Sequence, residues 1–210
     1  MEKLAFKALS FSAIQLPVIM EKRGHDWIDY GINNLYPQLL IDLYNNSAIH
    51  HTAIDSKVDA VTGEGFKNFG DLPANSHGET LDEIFEKIAK DYMLFGGYSL
   101  NCIWSKDGET IAEMFHIPFN NVRSGLMDEE ERIHDYYYSS NWPQHRKYKP
   151  VRHAAYSTTD NEGDDASQIF YYYDYTVGNY YYPLPSYIGA VNDIDTDSRI
   201  SKFHRSNLQQ

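Results

Sequence analysis

Two segments in the first third of the chain carry apolar residues at three- and four-residue spacing, which is the period of an α-helix. The first segment begins near Pro37, a residue suited to a first helical turn, and stops at Asn45-Asn46. Ser47 can then cap a second helix that ends at Gly63. The predicted inner faces are Leu39, Leu40, Leu43 and Tyr44 in the first helix, and Ile54, Val58 and Val61 in the second. Because the two helices are so closely joined, we expect an antiparallel or bent pair.

A third helix has the strongest local signal in the chain. Thr80 and Glu83, three positions apart, match the sequence of a capping box, and Gly96-Gly97 supplies a stop. Its apolar face is formed by Leu81, Ile84, Phe85, Ile88, Tyr92 and Phe95. The stretch before it, residues 66–79, is rich in Gly, Pro, Asn and Ser and is predicted to be a loop.

The period changes from about 3.6 to about 2 after this helix, which indicates strands. Leu100, Cys102 and Trp104 alternate with other residues, and Asp107-Gly108 provides a hairpin turn. Residues 110–117 are predicted to return as the partner strand. Pro118 closes that strand, and a third strand is expected to begin at Val122.

Tyrosines dominate the second half of the chain. Of the 18 tyrosines, 13 lie beyond residue 130, and most fall in three runs: 136–138, 171–173 and 180–182. Consecutive aromatic residues are typical of strands with both faces at least partly covered. The polar, acidic segment 157–168 between the first two runs is predicted to be a loop.

Together these elements predict an α+β protein, in which helices pack on a mostly antiparallel sheet. Residues 1–35 mix apolar, turn-forming and aromatic residues around Pro17 and are expected to form an extended N-terminal arm. The α+β domain is predicted to cover residues 36–182. Residues 183–210, which open with two prolines, are predicted to begin a long C-terminal helix.

The net charge of −12 argues against a protein that coats nucleic acid, because phosphate affinity comes chiefly from clustered Lys and Arg. The sequence has one basic run, residues 145–149, which Arg152 and His153 extend. It is interpreted as a solvated loop, with a contact to phosphate or to an acidic partner as the alternative. The apolar runs are much shorter than a membrane span needs, so no contact with a membrane is expected.

Motifs for catalysis or metal binding are weak. The run Asp193, Asp195 and Asp197 resembles the start of a calcium loop, but Ser198 and His204 stand where that loop needs Gly and Glu. Cys102 falls within a predicted strand and is interpreted as a core residue. We therefore expect no catalytic residue, no metal and no cofactor. An enzyme remains an alternative, and acids clustered around His116, His134 or His153 would favour it.

The tyrosine runs have three possible roles: core packing, a subunit interface, or a platform for a sugar or base. The hypothesis carried forward is a subunit interface at Tyr136, Tyr138, Tyr171, Tyr173, Tyr181 and Tyr187. The main alternative is a stand-alone tyrosine-rich module that binds a glycan or a peptide.

Four segments, in this order, resemble tailed-bacteriophage portal proteins. Residues 33–66 contain an Asn-x-Tyr-Pro entry, a helix that ends in Tyr-Asn, and a second helix that ends in Gly-x-Gly-Phe. Residues 91–104 are similar to a helix-to-strand turn with paired glycines, and residues 113–125 to a strand followed by Pro-x-x-x-Val-Arg. Residues 182–207 resemble a proline-bracketed turn that begins a long helix.

This resemblance implies a structural role without bond chemistry. Portal subunits form a homo-oligomeric ring at one capsid vertex, through which double-stranded DNA enters and leaves without sequence-specific binding. The implied partners are the major capsid protein, the large terminase subunit and neck or adaptor proteins. The implied location is the virion, with the host cytoplasm during assembly. By this resemblance the chain is the N-terminal, wing-like part of a longer subunit, and its last helix would lead to a stem and a clip.

Overall fold

The computed structural model describes residue 17 and residues 19–22, 24–158 and 166–208, and these form an α+β fold. The described helices are α1 (Tyr36–Asn46), α2 (Ala48–Thr62), α3 (Leu81–Phe95) and α4 (Val191–Leu208). The first four described strands are β1 (Ile19–Glu21), β2 (Ile28–Tyr30), β3 (Gly97–Trp104) and β4 (Ile111–Ile117). The others are β5 (Val122–Ser124), β6 (Asp135–Tyr138), β7 (Val151–Ala155) and β8 (Ser167–Tyr173).

The main sheet has the strand order β4-β3-β8-β7-β6-β5. Its pairs are antiparallel except for β7 and β8, which run parallel with Ala154 opposite Gln168. β1 and β2 form a separate antiparallel pair. The predicted fold class is therefore confirmed: helices pack on a mostly antiparallel sheet, and a C-terminal helix follows.

The first two helices begin and end near the predicted positions. Ser47 separates them, and its Oγ accepts a hydrogen bond from the backbone N–H of His50 at 3.2 Å, which caps α2. Ile54 and Val58 are buried against α3 as predicted. The third predicted inner residue was wrong, since Val61 is 50% exposed. It lies in the last turn of α2.

The capping box of α3 is confirmed. Thr80 accepts from the backbone N–H of Glu83 at 3.2 Å, and the Glu83 carboxylate accepts from the backbone N–H of Thr80 at 2.9 Å. Gly96 ends the helix with φ +85°, a conformation in which a side chain is strained. Gly97 then starts β3, where a Cβ atom would lie 2.6 Å from the carbonyl oxygen of Tyr172. The glycine pair is thus required by backbone geometry.

We expect Thr80→Ala to lower the free energy of unfolding by about 1 kcal/mol, because the first turn of α3 loses its side-chain acceptor. Urea denaturation of the two proteins measures the difference. Thr52→Ala, at an exposed position within α2, is the matched control. It should change stability by only a few tenths of a kcal/mol, since alanine is the better helix former. Equal losses in both variants would show that the cap contributes nothing.

Both faces of the main sheet carry packed apolar side chains. On one face, Leu100 and Cys102 of β3 pack against Ile84 of α3, and burying a side chain such as Ile84 stabilises the fold by about 1.5–3 kcal/mol. On the other face, Ile169 of β8 packs with Val122 and Tyr136. In β8, Phe170 belongs to the first cluster and Ile169 and Tyr171 to the second. Both faces of this tyrosine strand are therefore partly covered, although Tyr172 is 42% exposed.

Two sequence predictions about elements were wrong. The basic segment was interpreted as loop throughout, but Val151–Ala155 forms β7 in the middle of the sheet. The third tyrosine run, residues 180–182, is not a strand. The last helix lies within the predicted range 183–210; it begins at Val191, after a turn and a short 3-10 segment at Ile188–Ala190. Of the predicted acidic loop, residues 159–165 lie outside the described part of the chain.

The predicted N-terminal arm is described only in part, since residues 1–16, 18 and 23 lie outside the description. Its strand β2 belongs to the core, because Ile28 and Tyr30 have no exposed surface. The Lys22 ammonium lies 2.5 Å from the carboxylate of Asp29, which is itself buried. Trp27 forms an isolated bridge with Gly125, next to β5. This part of the chain therefore contributes to the site described next.

Candidate functional site

Of the six tyrosines predicted at an interface, Tyr136 is buried, and Tyr171 is half-buried with its hydroxyl enclosed. The rings of Tyr136 and Tyr171 stack with centroids 4.8 Å apart, and Tyr171 also stacks on Phe119 at 4.8 Å. Burial raises the pKa of both phenols well above the ordinary value. These rings are occupied by contacts within the chain.

Three more of the six are partly buried. Tyr173 donates its hydroxyl to the carbonyl oxygen of Tyr180 at 2.6 Å, and the hydroxyl of Tyr181 accepts from the backbone N–H of Met127 at 3.3 Å. Tyr138 is opposite Val151 in the sheet. Each of these side chains keeps some exposed surface.

Tyr187, the sixth, links the helices. Its hydroxyl donates to the carbonyl oxygen of Leu94 at 2.7 Å, and its ring meets that of His50 edge-on at 4.4 Å. The six tyrosines thus hold the fold together, and their proposed role at a subunit interface stays a prediction. The most exposed tyrosines of the second half of the chain are different ones, led by Tyr175 and Tyr180 at 80% and 64%.

His50 makes stability depend on pH, because burial, together with Lys57 and His51, lowers its pKa from 6.5. The unfolded chain then binds the proton first, so stability falls as pH drops below about 6.5. We expect thermal melts from about pH 7.5 to about pH 5.5 to show this loss, and His50→Gln to reduce it. The exposed His204→Gln serves as the control and should leave the slope unchanged. An unchanged slope in His50→Gln would contradict the assignment.

Arg123 is the most unusual side chain in the described structure, being only 1% exposed although it carries a full charge. Its Nε donates to Oδ1 of Asn34, and its Nη2 to the backbone oxygen of Asn34 at 3.2 Å. Its Nη1 donates to the backbone oxygens of Asn120 at 3.0 Å and Val122 at 2.7 Å. Four oxygens from two segments therefore surround the guanidinium.

Aromatic rings complete this environment. The guanidinium carbon lies 4.9 Å from the ring centre of Trp142 and 5.9 Å from that of Tyr30, both in the range of cation–π attraction. Burial lowers the pKa of Arg123 from its ordinary value. Among the described residues no carboxylate forms an ion pair with it, so neutral oxygens and ring faces offset the charge.

Tyr182 connects the arm, β5 and the residues before α4. Its ring stacks on Tyr30 with centroids 4.1 Å apart. Its hydroxyl donates to the carbonyl oxygen of Ile28 and accepts from the backbone N–H of Ser124 at 3.1 Å. Burial raises the pKa of this phenol well above the ordinary value.

A pocket of about 210 Å³ opens beside Arg123. It lies between the start of α1, the turn before β5 and the segment after β6. The polar residues that line it include Asn34, Gln38, Asn121, Arg123, Ser140 and Asn141. We call this the Arg123 pocket. In the sequence, Arg123 stood out only as part of the Val-Arg step, with no role assigned to it. The available signal was an arginine in a short strand directly after Asn120-Asn121; of the nearby asparagines, Asn120 and Asn34 accept its hydrogen bonds.

The histidines considered for catalysis lie in separate places. His116 pairs with Asp91 at 2.8 Å, and Asp91 also accepts from the backbone N–H of Phe119. His134 pairs with Asp128 at 2.7 Å, in the turn between β5 and β6. His153 lies in β7, where burial lowers its pKa. The His–Asp pairs hold turns and strand ends in place. The three histidines do not converge on one point.

The described residues contain no group of three or more His, Cys, Asp or Glu side chains placed to hold a metal ion. Two acids of the calcium-like run have other partners, as Asp195 pairs with Arg199 at 2.6 Å and Asp197 accepts from Ser47 at 3.0 Å. Cys102 is buried, and burial raises its pKa to about 11. In the same part of the chain, no helix has the length and apolar character that crossing a membrane requires.

The fold, and not the sequence, relates this chain to known proteins. No protein-family model and no curated protein sequence matches the chain. Solved structures do match: a chain in the neck of an empty gene transfer agent (GTA) particle computed with C6 symmetry has a TM-score of 0.65 and 12% identity, over 83% of this chain. A chain in the virion of a native GTA particle gives 0.60 and 12% over 81%, and one in the neck of a native particle computed with C12 symmetry gives 0.58 and 14% over 83%.

The present chain spans about half the length of these neighbours, covering 46%, 45% and 46% of them. At such low identity the likeness concerns the backbone arrangement. This chain therefore has the fold of a part of chains found in the neck and virion of phage-like gene transfer agent particles.

Proposed function

We propose that this protein is a structural subunit of a portal-type ring at the head–tail junction of a phage-like particle, and that it forms part of the conduit for DNA packaging and ejection. The observation that carries the proposal is the TM-score of 0.65 over 83% of the chain with a chain of a GTA neck. The ordered sequence resemblance to portal proteins points to the same class independently of the coordinates. In this role the chain acts by assembly and carries out no reaction.

The exposed apolar surface supports an assembly role. Tyr175 and Val177, in the turn after β8, are 80% and 85% exposed, and Tyr180 follows at the same turn. Phe66 and Phe69, in the loop before α3, are also largely exposed. Apolar side chains grouped in this way commonly mark contacts between proteins. Neighbouring subunits, the major capsid protein, the large terminase subunit and neck or adaptor proteins are the partners that the role implies.

The negative net charge of the chain is compatible with a channel through which DNA passes. A net charge of −12 disfavours tight binding of DNA, so a duplex could pass without being held. The corresponding location is the virion, after assembly in the host cytoplasm. The rival function, a tyrosine-rich platform for a glycan or a peptide, gains no support, because the rings of Tyr136 and Tyr171 are stacked within the fold.

Mass photometry of the purified chain over a range of concentrations tests the proposal. We expect oligomers that grow with concentration and ring-shaped particles in negative-stain electron microscopy. Val177→Asp should shift the population toward monomer, because it places a charge in the exposed turn after β8. Ile49→Asp, at a position that is 73% exposed on α2, is the matched control and should assemble normally. A chain that stays monomeric at every concentration would count against a ring.

A further inference from the structure

The Arg123 pocket differs in charge from the rest of the surface. The chain carries 30 acidic residues, yet none of the 11 residues that line this pocket is acidic. Its single charged lining residue is Arg123. In a protein with a net charge of −12, an acid-free concavity built over a cation is a place where an anion is tolerated.

Two of the polar lining residues, Asn121 and Asn141, keep amide donors beside this space, whereas Gln38 donates its own amide to Asp42 at 2.9 Å. Asn141 uses Oδ1 to accept the backbone N–H of Gln144 at 3.3 Å, and Asn121 uses Oδ1 to accept from Nδ2 of Asn120 at 3.0 Å. Their oxygens are thus engaged within the chain, and their amide N–H groups are the remaining polar atoms. Ser140 adds an exposed hydroxyl. Amide N–H groups and a hydroxyl are suitable donors to a carboxylate.

The buried guanidinium supplies the attraction. Its four recorded acceptors are neutral oxygens, so its charge is solvated by the protein without being cancelled by a carboxylate. In a medium less polarisable than water, the field of such a charge extends further into an adjacent cavity. An oxyanion in the pocket would therefore be held by Arg123 through space and by the amide donors directly.

The segment that follows the pocket lining in the chain is basic. After the lining residue Pro143 come Gln144 and His145, and then the exposed residues Arg146, Lys147 and Lys149. The Lys147 ammonium lies 5.2 Å from the ring centre of Tyr148, and within the described chain none of the three is recorded in an ion pair. Further carboxylates on the same ligand would meet these cations, which favours an acidic segment over an isolated anion.

We propose that the Arg123 pocket binds a side-chain carboxylate carried on an acidic peptide segment of a neighbouring protein subunit. A volume of about 210 Å³ accommodates the end of an Asp or Glu side chain. The backbone phosphates of a DNA duplex are less suited to it, since the duplex is too wide to enter and is repelled by the net charge. The inference rests on the proposed assembly role only for the source of the segment.

Titration of the full chain with an acetylated tetraglutamate peptide, followed by isothermal calorimetry and by tryptophan fluorescence, to which Trp142 at the pocket wall contributes, tests the site. We expect saturable binding, and no binding of tetraglutamine. Ser140→Asp and Gln38→Glu place a carboxylate at the rim without removing Arg123, and each should weaken binding about tenfold. Ser56→Asp, at an exposed position on α2, adds the same charge elsewhere and should bind like the original chain.

The proposal is overturned if tetraglutamate does not bind, if tetraglutamine binds equally well, or if Ser56→Asp weakens binding as much as Ser140→Asp. Tighter binding of a short DNA duplex than of tetraglutamate, lost in the same pocket variants, would also overturn it and would assign the pocket to phosphate. Mass photometry tests the proposed ring independently of the peptide titration. Ring assembly without peptide binding removes this inference alone, and peptide binding by a strictly monomeric chain removes the proposed ring alone.

Discussion

Arg123→Met is expected to lower the free energy of unfolding by about 3–5 kcal/mol, because removing one member of a buried polar network strands its partners. Methionine fills much of the same volume, so the loss reports the missing hydrogen bonds more than a cavity. The backbone oxygens of Asn34, Asn120 and Val122 would lose this donor. Such a loss is a large share of the roughly 5–15 kcal/mol that stabilises a typical domain.

Urea denaturation at constant pH measures this effect, with Arg152→Met as the matched control. Arg152 pairs with Asp135 at 2.6 Å, but its side chain is 55% exposed. Removing an ion pair at the surface typically costs less than about 1 kcal/mol. If both arginine variants lost the same stability, the buried guanidinium would have no special role in the fold.

Tyr182→Ala is expected to cost about 3–5 kcal/mol, in line with other large-to-small changes of buried aromatic residues. The variant loses the stack on Tyr30 and leaves a cavity between β2 and β5. It also strands the carbonyl oxygen of Ile28 and the backbone N–H of Ser124, which share the Tyr182 hydroxyl. Tyr182→Phe separates the two contributions, because it keeps the ring and removes the hydroxyl.

Tyr180→Ala, two residues earlier in the same run, provides the control. Its side chain is 64% exposed, and the contact recorded for it is made by its backbone oxygen, which alanine retains. We expect a change within about 0.5 kcal/mol, as for other surface substitutions. Thermal or urea unfolding of the three tyrosine variants should rank them Tyr182→Ala, Tyr182→Phe, Tyr180→Ala in decreasing loss. A different order would mean that the ring stack of Tyr182 does not organise this region.

Local signals predicted the helices and the hairpin well. The capping box at Thr80, the cap at Ser47 and the glycine pair after Phe95 each act through residues within four positions of each other. Hydrogen bonds of this kind form wherever the chain adopts a helix, so the pattern alone is informative. The Asp107-Gly108 turn is equally local, and β3 and β4 flank it as predicted.

The strand β7 could not be recognised in the same way. Its residues Val151–Ala155 follow a basic run, and an isolated five-residue segment has no periodicity that separates it from a loop. It becomes a strand because β6 on one side and β8 on the other offer backbone partners. For the third tyrosine run the error was the opposite, because a strand was predicted and none forms. Tyr182 stacks on Tyr30 inside the fold and pairs with no strand.

The candidate site shows the same contrast between features set by local contacts and features set by distant ones. The four segments similar to portal proteins, with their helix, turn and strand signals, could be identified from residue order, and the fold agrees with chains of GTA particles. The burial of Arg123 and the existence of its pocket could not be identified from residue order, because they depend on partners far away in the chain. Asn34 and Arg123 are 89 positions apart, and Ile28 and Tyr182 are 154 apart. Sequence patterns were sufficient for the elements whose stabilising contacts are short in range. Which tyrosines are buried, and where the buried guanidinium of Arg123 lies, depended on the tertiary fold, since desolvation depends on neighbours that only folding brings together.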